Sequence, residues 1–153
     1  MEYEQLKLNN QLCFPIYAAS RLITREYQPH LEKLGITYPQ YLVLMVLWEE
    51  DGITVNDIAG RLILNTNTVT PLLKRMELLG IITRKRYASD ERKVLINLTG
   101  KGRAMREQAA DIPLRLMAAL QNSVINLDEL MVMRDYLNLL VRFLKGKGID
   151  PLL

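Results

Sequence analysis

Apolar residues recur three or four positions apart along most of the chain and alternate with polar ones in one short stretch, which predicts a mainly helical protein with a small β-hairpin. Leu12, Ile16, Ala19, Leu22 and Ile23 share a helical face. Asn9 or Asn10 is placed to cap that helix, and Pro29 and Gly35 to end it after about Tyr27. Thr37-Tyr38-Pro39-Gln40 reads as a capping box with proline in the first turn, opening a strongly apolar helix from Tyr38 to about Glu50. Asp51-Gly52 closes it. Thr54 caps a short helix from Val55 to Leu62, and after a break at Leu64-Asn65 a polar cap, Asn65 or Thr66, starts a helix to Leu79 with Gly80 just beyond. Two short helices joined by a tight turn form a helix-turn-helix.

The period then changes. Ile81 to Arg86 and Lys93 to Leu98 are β-rich runs bridged by a polar turn, and they read as a hairpin, the wing. Thr99 and Gly100 lead into a helix from about Lys101 that Pro113 interrupts, and Leu127-Asp128 begins a last apolar helix ending near Gly146. Met117, Leu120, Val124, Leu130, Met133, Leu137, Leu140 and Phe143 offer more apolar surface than one pair of helices can bury alone, so a helical dimer interface is expected. The fold class is therefore mainly α with a small β-hairpin: a winged helix-turn-helix plus N- and C-terminal helices forming a dimerisation region. No repeat or linker divides residues 1–153; the dimerisation helices fall at about 9–36 and 101–146, and the DNA-binding region at about 38–99.

Composition adds limits. With 49% apolar and 24% charged residues the chain is an ordinary globular protein, neither disordered nor a disulfide scaffold. A single cysteine cannot form an internal disulfide, which points to a reducing, cytoplasmic compartment. Met1 to Asn10 is polar, unlike a secretory signal, and no apolar run reaches the roughly 18 residues of a membrane span. No metal set or cofactor motif is present, and the one histidine, His30, has no paired Ser or Asp pattern, so an enzyme is not expected.

Charge is unevenly spread. The chain carries +3 in all, but Leu72 to Arg106 holds ten Lys and Arg against three acids, a local +7. On the hairpin, Arg84, Lys85, Arg86, Arg92 and Lys93 repel one another unless an anion is present, and phosphate neutralisation there brings counterion release. Asp90 is expected to hold Arg92 in a bidentate pair. The helix before the hairpin opens with Thr66, Asn67, Thr68 and Thr70, followed by Pro71, Lys74 and Arg75. Short hydrogen-bonding groups at its start suit base edges in the major groove, and the cations beyond suit phosphates. Double-stranded DNA is the partner this pattern fits.

Cys13 falls in or beside the first turn of its helix, where the partial positive charge of free N–H groups favours a thiolate that peroxide oxidises to sulfenic acid. Tyr17, Tyr27, Tyr38 and Tyr41 supply phenolic donors to a thiolate or peroxide oxygen, with a core role for Tyr41. The alternative is a small, buried, structural cysteine.

Asn10-Gln11-Leu12-Cys13-Phe14, Tyr17 with Ser20-Arg21, Leu34 to Tyr41, Leu47-Trp48-Glu49, Thr68 to Lys74 and Asp90-Glu91-Arg92 together resemble the organic hydroperoxide resistance regulators of the MarR family, over about Leu8 to Gly102. The resemblance implies a homodimeric repressor on a palindromic operator, released when organic hydroperoxide oxidises the cysteine. It implies that two tyrosines of the partner subunit, matching Tyr27 and Tyr38 with Tyr17 as neighbour, hydrogen-bond the thiol. Asn65-Thr66-Asn67 departs from the family's Asp-Ser-Gly at the start of the recognition helix, which puts the base contacts in question. With no second cysteine the chain resembles the one-cysteine type, whose sulfenic acid is capped by a small thiol before DNA is released; over-oxidation to sulfinic acid is the alternative route. The competing reading is a MarR-type regulator of an apolar small-molecule ligand. A thiol peroxidase lacks a resolving cysteine here.

Overall fold

In a computed structural model, residues 3–87, 90–121 and 126–147 are described. They form seven α-helices and three strands in two compact units, Met1–Tyr38 and Pro39–Leu153.

The first unit begins with two short 3-10 turns, Glu4–Leu6 and Leu8–Asn10, followed by α1, Cys13–Lys33. The expected Asn9 or Asn10 cap is replaced by Leu12, which makes no side-chain cap bond, because Asn10 instead donates from Nδ2 to the Glu4 carbonyl at 2.7 Å. Cys13 is thereby the first helical residue. Pro29 does not end α1 near Tyr27; it sits inside the helix. Its ring removes one backbone bond. The helix runs one turn further and closes in a Schellman motif, with Gly35 N–H donating to the Glu32 carbonyl at 3.0 Å and Ile36 N–H to the Leu31 carbonyl at 3.1 Å. Gly35 takes φ +67°, and the buried pair Leu31 and Ile36 fixes the stop that proline alone does not impose.

The second unit holds the core. After α2, Tyr38–Glu49, the two-residue strand β1, Ile53–Thr54, leads directly into α3, Val55–Leu62. Thr54 and Asp57 form a capping box at its start. The turn that follows is made by Ile63 in the left-handed region, φ 56° and ψ 44°, an unfavourable conformation for a β-branched residue. α4, Thr66–Leu78, is capped by Asn65, and buries Val69, Leu72, Leu73 and Met76 at helical spacing. β2, Ile82–Tyr87, and β3, Asp90–Leu98, form the hairpin, antiparallel with Ile82 opposite Leu98 and Arg86 opposite Val94. A register shift follows between Arg86 and Tyr87. β1 pairs with the other edge of β3, giving the order β1-β3-β2. Val43, Leu44, Leu47, Ile58, Val69, Leu73, Met76, Ile81, Ile82 and Ile96 are almost wholly buried and make the core of α2, α3, α4 and the sheet.

α5, Gly100–Ala109, is capped by Thr99; α6, Ile112–Gln121, follows with Pro113 in its first turn. α7, Leu127–Gly146, is capped by Asn126 in a capping box with Glu129. No residue of α7 is buried, and Val132, Tyr136, Leu139 and Phe143 are each more than half exposed. Of the apolar set expected at an interface, Val124 lies outside the described residues. Among the described residues no helix is long and apolar enough to cross a membrane.

Candidate nucleic-acid interface and thiol site

Burial of one stripe of α4 fixes what the other presents. Asn67, Pro71, Lys74, Arg75 and Leu78 are exposed and recur one or two turns apart, opposite the buried Val69, Leu72, Leu73 and Met76. Within the opening turn the four small polar groups differ. Asn65 Oδ1 accepts from the Thr68 backbone N–H at 2.9 Å and from the Thr68 hydroxyl at 3.1 Å, so Thr68 is engaged in the cap. Thr66 and Thr70 line a cavity of about 210 Å³ together with Arg84 and Lys93.

On the hairpin, Lys85, Arg86 and Lys93 are exposed. Arg84 is turned inward: its Nη1 lies 3.5 Å from Glu77 of α4, whose other carboxylate oxygen accepts the Arg84 backbone N–H at 3.2 Å. Its Nε is buried and makes no hydrogen bond among the described residues. The two-residue period of β2 carries the signal for this, since Arg84 shares a face with the buried Ile82. Asp90 and Arg92 lie in β3, but their side chains, and the pairing expected between them, lie outside the described residues.

Two struts at the foot of the hairpin carry no local sequence signal. Asp51 accepts the Leu98 backbone N–H on Oδ1 at 2.8 Å and binds Arg103 through Oδ2 at 2.8 Å. Trp48 donates from Nε1 to the Gly102 carbonyl at 2.9 Å.

In the first unit Cys13 is exposed, which does not fit a small buried hydrophobe. Tyr17 follows one turn along α1, its hydroxyl accepting from Arg21 Nη1 at 2.7 Å with the guanidinium carbon 5.5 Å from its ring centroid. Tyr27 and Tyr38 are together, with ring centroids 5.1 Å apart and planes at 55°. Burial raises the Tyr38 phenol above its ordinary pKa of 10.0, which keeps it a protonated donor. Tyr41 is buried and meets Trp48 edge-on at 6.1 Å, a core role.

Within the first unit Tyr27 and Tyr38 do not stand beside Cys13. Tyr27 lies fourteen residues along α1 from Cys13, a rise of about 21 Å at 1.5 Å per residue. Neither Tyr27 nor the Tyr38 packed on it reaches the thiol of its own chain, whereas Tyr17 shares its face of the helix. Among the described residues no group of three or more His, Cys, Asp or Glu is placed to hold a metal ion.

Comparison with known proteins places these features. The family model for the transcriptional regulator SarA/Rot matches residues 25–108. In sequence the chain is similar to the organic hydroperoxide resistance transcriptional regulator of Bacillus subtilis (strain 168), 54% identical over 112 residues that cover 73% of this chain and 76% of that protein. In structure it is similar to AbfR, including AbfR of Staphylococcus epidermidis, which gives a TM-score of 0.75 with 36% identity, covering 94% of this chain and 95% of that one. The reduced form of AbfR bound to DNA gives a TM-score of 0.76 with 40% identity, covering 94% of this chain and 99% of that one. Overoxidized AbfR bound to DNA gives 0.75 with 40% identity over the same shares of 94% and 99%.

Proposed function

The chain belongs to the SarA/Rot family of transcriptional regulators, and from its likeness to an organic hydroperoxide resistance regulator we propose that it is a homodimeric, peroxide-sensing repressor that leaves its operator when Cys13 is oxidised and capped. The exposed face of α4 enters the major groove. Lys74, Arg75, Lys85, Arg86 and Lys93 neutralise phosphates on either side, with Arg92 as a further cation of the wing. Arg84, tied to Glu77, acts chiefly by holding the hairpin against α4. The unburied apolar residues of α7 support pairing with a second copy. Pairing also supplies what one chain lacks, a Tyr27 and Tyr38 beside each Cys13.

One observation carries the sensing role furthest: Cys13 stands exposed as the first residue of α1, at a helix start that no side chain caps. Exposure there leaves the sulfur open to a hydroperoxide arriving from solvent. The Cys13 thiolate attacks the terminal oxygen of an organic hydroperoxide, forming an S–O bond as the O–O bond breaks and the alcohol leaves. A small thiol then condenses with the sulfenic acid, forming a disulfide and releasing water. The bulk bound to sulfur displaces the tyrosines packed at the site, and the pair of α4 helices loses its spacing. Moving such an equilibrium from mostly bound to mostly free needs about 5 kcal/mol of differential stability. Overoxidized AbfR has been solved on DNA, which favours capping over sulfinic acid as the releasing step.

The test is the affinity of the full chain for its own upstream DNA, by fluorescence anisotropy, before and after an organic hydroperoxide with a small thiol. The parent is expected to weaken by about tenfold or more, equivalent to at least 1.4 kcal/mol, and Cys13→Ser to remain unchanged. Equal responses of the two proteins would remove Cys13 from the switch.

A further inference from the structure

We propose that Asn67 is the residue of α4 that sets base preference, by reading an adenine in the major groove of each operator half-site; this rests on the DNA-binding reading above. The assignment follows from what the neighbouring groups already do. Asn65 and Thr68 are bonded to each other in the helix cap. Thr66 and Thr70 face the cavity they share with Arg84 and Lys93. Val69, Leu72 and Leu73 are buried. Asn67 is exposed on the second residue of the helix, on the face that also carries Pro71, Lys74 and Arg75, and its amide makes no hydrogen bond among the described residues.

A carboxamide in that position has one complement among the base pairs. Its oxygen accepts from adenine N6 while its N–H donates to N7, a two-bond pattern that no other base offers in the same order in the major groove. Lys74 and Arg75, about two turns further along the same face, set the register by contacting phosphates and carry no sequence information themselves. The aliphatic ring of Pro71 between them and Asn67 has no polar side-chain atom to compete for the same base edge.

The experiment first footprints the intact chain on its own upstream region, then measures binding to operators in which each A·T pair is replaced symmetrically by G·C or carries 7-deazaadenine. For the parent, one A·T position per half-site is expected to be sensitive, losing about 5- to 150-fold in affinity on replacement by G·C and weakening also with 7-deazaadenine, which lacks the N7 acceptor. Asn67→Ala is expected to bind all versions of that position alike while keeping its preferences elsewhere and the parent's melting temperature. Thr68→Ala, which loses a cap bond, is expected to keep the parent's preference at that position. If Asn67→Ala retains the full pattern of base preference, or if the preference moves in Thr68→Ala and not in Asn67→Ala, the assignment is overturned and DNA binding stands. If the parent binds its upstream region no better than unrelated DNA, both readings fall.

Discussion

Gly102 sets how closely α5 approaches the foot of the hairpin. A Cβ at this residue would lie 2.3 Å from the Ile81 carbonyl oxygen and 3.0 Å from Leu98 Cδ2, and the first of these is backbone that cannot turn aside. Gly102→Ala is therefore expected to destabilise the protein by about 2–3 kcal/mol, as overpacking does, read as a lower urea midpoint. Gly100→Ala, whose Cβ meets nothing within 4 Å, should stay within about 0.5 kcal/mol of the parent. Nothing in the local sequence distinguishes these glycines, because the constraint on Gly102 comes from Ile81, twenty-one positions away. The surroundings of Arg84 depend on a distant residue in the same way: a cation in a basic run reads as a phosphate contact alone until Glu77, on the neighbouring helix, is brought within reach.

Element boundaries were most legible where a side chain bonds its own helix end. The caps at Thr54 and Asn65 fall where the polar residue before an apolar run predicts them. At Thr54 the cap has a pH signature. Asp57 accepts from the Thr54 hydroxyl and backbone N–H, and with a smaller effect of Lys93 its pKa falls below the ordinary 3.8. A carboxyl depressed in the folded state stabilises it above the unfolded value, and that contribution is lost as pH drops through the folded one. Asp57→Asn is thus expected to be less stable than the parent near neutrality, with the gap closing below about pH 3.8; a pH series of unfolding midpoints measures it. A gap independent of pH would remove the carboxylate from the account. Illegible elements had weaker local codes. β1 is two residues long and exists through its pairing with β3, and the end of α1 depends on burial of Leu31 and Ile36 rather than on Pro29.

For the whole molecule, the distance along α1 between Cys13 and Tyr27 has the largest consequence. The helix predicted to run to about Tyr27 already holds both groups, and its rise sets them about 21 Å apart, too far for either to serve the other within one chain. If each sensing site is shared between two chains, a chain with Tyr27→Phe and Tyr38→Phe should oxidise slowly alone and faster when mixed with Cys13→Ser chains. The mixed dimer restores one complete site, and sulfenic-acid labelling of Cys13 measures the rate. No change on mixing, with chain exchange verified by mass, would show that each site is built within one chain.

The helix α7, with no buried residue of its own, carries a different cost. A helix that finds its interior only in another copy ties the folded state to mass action. Expression level then becomes part of the fold: when growth dilutes the chains faster than synthesis replaces them, the fraction with a completed C-terminal region falls.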